Sequence, residues 1–105
     1  MAERLFASEQ GSGERTLVLL HGFGGSHHVW EAIAGRLADR ARVIAYDLPA
    51  HGASLDYPDG GPVKVAVEAV LDDLSARGIE RFNLAGHSMG GAISALIALK
   101  APERL

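Results

Sequence analysis

The stretch with the residue types for nucleophilic chemistry is Gly86-His87-Ser88-Met89-Gly90. A serine hydroxyl is a weak nucleophile until a base takes its proton. Ser88 becomes a candidate through its setting. Apolar Leu84 and Ala85 precede it, and the small or apolar residues Gly91, Ala92 and Ile93 come after it. Glycine two positions to either side fits a strand that turns sharply into a helix, where a Cβ at Gly86 or Gly90 would collide with neighbouring backbone. Such a turn exposes the serine Oγ and sets the free N–H groups of a helix N-terminus beneath it. The Met89 N–H then points toward negative charge developing beside Ser88.

A base must come from somewhere. The histidines are His21, His27, His28, His51 and His87. His87 adjoins Ser88, and on such a turn its ring is expected to face away from Oγ. His21 and His51 come after apolar runs, but no carboxylate stands beyond either in a position to hold its tautomer. His27 and His28 sit at the start of a helical pattern, where capping and solvated roles prevail. No pair of the five has the spacing of a known metal motif, so no metal is expected.

The elements that must position these residues alternate along the chain. Arg4–Ala7 reads as a short strand, and Ser8–Arg15 as a turn broken by Gly11 and Gly13. Thr16–Leu20 and Arg42–Tyr46 are continuous apolar runs, the pattern of strands buried on both faces of a parallel sheet. Between them Trp30, Ile33, Ala34 and Leu37 share one helical face. After Tyr46 comes a long loop rich in Gly, Pro and Asp. Pro62 then opens a helix with an apolar stripe of Val63, Val67, Val70, Leu71 and Leu74, stopped at Gly78. Arg81–Gly86 is a third strand, and Ser88–Lys100 a last helix that Pro102 ends.

This order predicts an α/β fold: a mostly parallel sheet with helices on both faces. Ligands bind such sheets beyond the carboxyl ends of the strands. The loops at His21, Asp47 and Gly86 all begin there, so they gather on one rim.

Composition narrows the function. At 105 residues, the chain is one small domain at most. The net charge of −3 and the lack of a basic patch argue against nucleic acid. Without cysteine there is no disulfide framework or thiolate metal site. No apolar leader or spanning segment is present, so no membrane contact and a cytoplasmic location are expected.

Three segments, "LLHGFGGS", "DLPAHGAS" and "LAGHSMGG", resemble successive signature segments of the α/β-hydrolase family, in the family's order and spacing. The closing "APERL" is similar to the family's usual ending of the helix after the serine. The resemblance covers nearly the whole chain and points to the small-molecule branch of esterases, lactonases and related enzymes. It implies a role at each matching position. Ser88 would be the nucleophile. Met89 and Phe23 would supply the two backbone N–H groups of an oxyanion hole. Gly22, Gly24 and Gly25 would let the first loop approach substrate, and His21 would brace that loop. Asp47, His51 and Ser54 would fix the second loop by hydrogen bonds. Ala50 departs from the family's usual glycine, with a small local shift expected. The substrate would be a small molecule, and no cofactor is implied.

In this family the order is Ser, then acid, then His. The residues after Ser88 contain no Asp and no His. Glu103, the sole carboxylate there, lies beyond the last helix, roughly 20 Å away at a rise of about 1.5 Å per residue. Acid and base are therefore expected outside residues 1–105, with this chain the N-terminal part of a larger hydrolase domain and almost inactive alone. The last strand is expected to keep an unpaired edge that favours self-association. Three other readings remain: a lyase on the same scaffold, a non-catalytic ligand-binding module, and a nucleotide-binding domain. The last ranks lowest, since neither glycine-rich turn is a clean Gly-x-Gly-x-x-Gly.

Overall fold

The computed structural model describes residues 5–49, 51–54 and 62–105. Ala50 lies outside them. In chain order the elements are β1 (Ala7–Gln10), β2 (Thr16–Leu20), α1 (Glu31–Leu37), β3 (Arg42–Tyr46), α2 (Pro62–Ala76), β4 (Asn83–Gly86) and α3 (Met89–Lys100). Short 3-10 turns occupy His27–Trp30, Gly52–Ser54 and Pro102–Arg104.

The two apolar runs pair in parallel, from Thr16↔Arg42 to Leu20↔Tyr46. β4 adds to the other side of β2, also parallel, from Leu17↔Asn83 to Leu20↔Gly86. The sheet order is β1-β3-β2-β4. Alternation along the strands divides the core between the two faces. Val18, Leu20, Ile44 and Tyr46 pack with Val70, Leu74, Ile93 and Ile97 of α2 and α3. Leu19, Val43 and Ala45 pack the other way, on Ala34 with Trp30 and Leu37. Each fully buried aliphatic side chain contributes roughly 1.5–3 kcal/mol. These two clusters therefore hold helices on both faces, as the strand–helix alternation predicts.

Three details differ from expectation. The first strand is Ala7–Gln10, sharing Ala7 with the expected strand and otherwise lying in the stretch that reads as a turn. Its antiparallel pairing with β3 runs from Ala7↔Tyr46 to Gln10↔Val43. Ionic contacts support it: Glu9 accepts from Arg42 Nε at 2.7 Å and from Arg77 Nη1 at 3.2 Å. Arg77 Nε also donates to Asp73 Oδ2 at 2.6 Å, and the buried Tyr46 hydroxyl donates to the same oxygen at 2.5 Å. Second, the last strand begins at Asn83 rather than Arg81. The Phe82 N–H goes instead to the Arg104 carbonyl, 2.9 Å away. Third, Ile33 stands largely exposed on α1, whereas Ala34 is buried.

Gly78 ends α2 with φ +78°, the left-handed conformation expected of a helix stop. Among the described residues β4 pairs with β2 alone, so its outer edge has no partner strand. No helix of the described residues is long and apolar enough to cross a membrane.

Candidate active site

The parallel register sets the rim. Leu20, Tyr46 and Gly86 end their strands side by side, so the loops leaving those strands meet. Ser88 sits where β4 turns into α3, with φ +55° and ψ −116°. Among the described residues it is the non-glycine residue with a positive φ. That conformation costs a side-chain-bearing residue on the order of 1–3 kcal/mol, and it persists only where the surroundings impose it.

The surroundings do so by close approach. A Cβ on Gly90 would overlap the Leu20 carbonyl, and one on Gly86 would overlap the Gly90 carbonyl. Lacking Cβ atoms, β4 and α3 press together and thrust Ser88 outward, where it is exposed. The turn is closed by Gly90 N–H to His87 C=O at 2.9 Å, Gly91 N–H to Ser88 C=O at 2.8 Å and His87 N–H to Leu20 C=O at 3.0 Å.

Facing Ser88 is the loop after β2. Gly22 is close enough that a Cβ there would come within 3.1 Å of Ser88 Cβ and 3.2 Å of His87 Nδ1. Together they line a cleft of about 250 Å³, with Gly22, Phe23, Gly24, Gly25 and Val29 on one side and His87 and Ser88 on the other. The Phe23 ring is largely exposed at its mouth. Among the described residues, neither the Phe23 N–H nor the Met89 N–H has a hydrogen-bond acceptor within the chain. His87 lines this cleft together with Ser88. No histidine nitrogen is hydrogen-bonded to Ser88 Oγ among the described residues.

The histidines hold the loops. His21 is fully buried. Its Nε2 accepts the Leu48 N–H at 3.0 Å, which leaves Nδ1 to donate to the Gly22 carbonyl at 2.7 Å. Burial keeps this imidazole below its ordinary range, partly offset by the Gly22 carbonyl. His51 Nε2 accepts the Gly24 N–H at 2.9 Å, while Nδ1 donates to the Pro49 carbonyl at 3.0 Å. Ser54 Oγ donates to the Asp47 carbonyl at 2.7 Å and accepts the Phe6 N–H at 2.9 Å.

One acid–imidazole pair is not legible in the sequence. The buried Asp47 Oδ1 accepts from His27 Nδ1 at 2.8 Å and from the His27 N–H at 2.6 Å. No local spacing marks this pair. The one available signal is register: Leu20 and Tyr46 are neighbours, so the loops that leave them must meet. His27 does not line the cleft with Ser88, so this pair fastens the start of the 3-10 turn to the second loop. His27, His28 and Glu31 also bring ligand-type atoms within 4.8 Å of one another. However, His27 Nδ1 is taken by Asp47, and His28 Nδ1 bonds Glu31 in solvent.

The model of the α/β-hydrolase fold family matches residues 15–105. The chain belongs to the α/β-hydrolase family. It is 45% identical over 95 residues to the dihydrolipoyllysine-residue acetyltransferase component of an acetoin cleaving system from Pseudomonas putida, covering 90% of this chain and 26% of that protein. It is 36% identical over 101 residues to a pimeloyl-(acyl-carrier protein) methyl ester esterase from Pectobacterium carotovorum subsp. carotovorum, covering 96% of this chain and 38% of that enzyme. Among solved structures, a marine microorganism esterase superposes with a TM-score of 0.91 at 30% identity, over 96% of this chain and 38% of the esterase. The chain thus spans well under half the length of these relatives.

Proposed function

We propose that the chain carries the nucleophile and oxyanion hole of a serine hydrolase acting on carboxylic ester, thioester or lactone bonds of small molecules. The observation that carries this is the conformation of Ser88: an exposed serine held at φ +55° by glycine contacts, across a cleft from a second glycine-rich loop. Strain of this kind at a solvent-facing side chain is maintained at functional sites. The kinship with a methyl ester esterase and with an acetyltransferase component supports acyl chemistry in particular.

The proposed sequence is short. Ser88 Oγ attacks the substrate carbonyl carbon as a base takes its proton. The carbonyl oxygen, now negative, is held by the Phe23 and Met89 N–H groups. The tetrahedral intermediate collapses to an acyl-Ser88 ester as the leaving oxygen or sulfur takes the proton back. Water then repeats the attack and frees the acid. Two preset donors aimed at the oxyanion are commonly the largest single contribution to such a reaction. The base and its orienting acid are proposed to lie outside residues 1–105, in the order acid then His.

The test is covalent. In a longer protein that carries the proposed base and acid, a fluorophosphonate should modify Ser88 and no other residue, read by intact and peptide mass, and S88A should stay unmodified. Turnover of a simple ester by residues 1–105 should be roughly 10⁶-fold below that of a complete triad enzyme. Labelling that survives S88A, or Ser88-dependent turnover at ordinary enzyme rates, would defeat the reading.

A further inference from the structure

We propose that His51 is a positioning residue: as the neutral Nδ1–H tautomer it clamps the oxyanion loop through the Gly24 N–H, and protonation of its ring releases that loop. This deepens the hydrolase reading above and rests on it for its catalytic consequence, but the clamp itself is independently measurable.

The tautomer is dictated by partners that have no choice. The Pro49 carbonyl can only accept, so His51 Nδ1 carries the proton. The Gly24 N–H can only donate, so Nε2 presents its lone pair. The ring is therefore an adaptor between a carbonyl on its own loop and an amide on the other. It is seated from both sides, with the His21 ring 5.0 Å away and the Phe23 ring edge-on at 5.5 Å. Its backbone is seated too: the His51 N–H bonds the Leu48 carbonyl, and the Leu48 N–H bonds His21.

The position clamped adjoins the one proposed to hold an oxyanion, the Phe23 N–H. Gly24 N belongs to the peptide just after Phe23, so fixing its direction restrains ψ of Phe23 and with it the turn that carries the Phe23 N–H. Gly25 N–H bonds the Gly22 carbonyl at 3.0 Å and closes the turn, but leaves the Phe23–Gly24 peptide free to tilt. The hydrogen bond to His51 stops that tilt. Gly24 itself has φ +80° and open space where a Cβ would stand, so no side-chain contact adds to the hydrogen bond there.

A proton on Nε2 would set N–H against N–H and remove the acceptor. The charged or chargeable groups in this cluster are His21 on the first loop, Asp47 on the second and His27 on the turn before α1, and all three interact with one another. A positive His51 would face two imidazoles, one of them buried, with the nearby carboxylate already engaged by His27.

The experiment uses residues 1–105 labelled with ¹⁵N. Long-range ring spectra should show His51 as the Nδ1–H tautomer, and the Gly24 amide shift should titrate with the same midpoint as the His51 ring. In H51A, exchange of the Gly24 amide should rise about tenfold, as loss of one neutral hydrogen bond implies, while α3 amides stay protected. H51Q, whose side-chain oxygen can accept, should restore part of the protection. An Nε2–H tautomer, a Gly24 amide indifferent to the His51 titration, or unchanged Gly24 exchange in H51A would each overturn the clamp. The tautomer and titration are read on the unsubstituted chain, so misfolding of H51A leaves the test standing. In a longer protein that carries the proposed base, fluorophosphonate modification of Ser88 should slow about tenfold in H51A, the same single hydrogen bond being lost. Failure of Ser88 to react in a longer protein that carries the proposed base strikes the hydrolase reading, while the ring and amide spectra still decide the clamp.

Discussion

The two segments that meet at the cleft are held in unlike ways. The turn at Ser88 is fixed by contact: the absence of two Cβ atoms lets β4 and α3 touch, and backbone carbonyls do the rest. The loop from His21 to Gly25 is fixed by polar bonds from imidazoles: His21 to Leu48, His51 to Gly24 and, beside them, His27 to Asp47. Steric fixing is indifferent to pH but tolerates no added atom. Polar fixing tolerates some substitution but depends on protonation. The cleft thus joins a serine whose placement acid leaves alone to a facing loop held by bonds that depend on protonation.

The largest expected effect is on the steric side. G90A places a methyl on the Leu20 carbonyl, so β4 and α3 must separate; a loss above about 3 kcal/mol is expected by urea denaturation, comparable to severe overpacking. If G90A is near neutral, the contact account of the turn is wrong. Next is D47A, which strips the carboxylate from both His27 contacts; hydrogen bonds to a buried charge make a loss of about 2–3 kcal/mol the expected outcome. His27 ring resonances should lose their fixed tautomer at the same time.

Smaller, and specific to the polar side, is a pH effect through His21. Burial lowers its folded pKa from the ordinary 6.5, so the unfolded chain binds more protons in the window below 6.5. Stability is therefore fully present above that value and declines as pH falls toward the lowered one. Calorimetry should show Tm level above about pH 7 and falling with acid; H21N, though less stable throughout, should lose this part of the slope. A wild-type slope unchanged in H21N would assign the acid sensitivity elsewhere. The smallest effect is a gain: S88G relieves the positive φ and should stabilise by about 1 kcal/mol while abolishing acylation, read by urea midpoint and mass.

Much of this architecture is legible in particular residues. Thr16–Leu20 and Arg42–Tyr46 are strands because both their faces are buried, which is why an unbroken apolar run suffices to find them. Pro62, Gly78 and the glycine pair around Ser88 mark geometry that few other residues can adopt. β1 escapes a reading of local pattern because its last residues, Glu9 and Gln10, are exposed and polar; their strand conformation comes from β3 and from Arg42 and Arg77, not from any local preference. The histidine network is hidden for the same kind of reason. His21 with Leu48, His51 with Gly24 and His27 with Asp47 are partners across two loops, joined only once the parallel register exists. The close approach of Gly22 to His87 and Ser88 is likewise a contact between two loops, which no pattern within "GHSMG" reveals.

The strand order carries a consequence for how the chain comes to be folded. β2, the strand that leads into His21, is flanked by β3 on one side and β4 on the other, and Leu17 finds Asn83 only across most of the chain. Parallel neighbours cannot close through a hairpin, and each such closure is entropically slow. The β2–β3 pair, with α1 between, can assemble early and seat His21 against Leu48. β4 must then arrive late, and Ser88 acquires its strained shape only when that strand docks. The turn at Ser88 is accordingly expected to be the last piece of the rim to mature, and protection of the Gly90 and Gly91 amides appearing after that of β3 during refolding would check it.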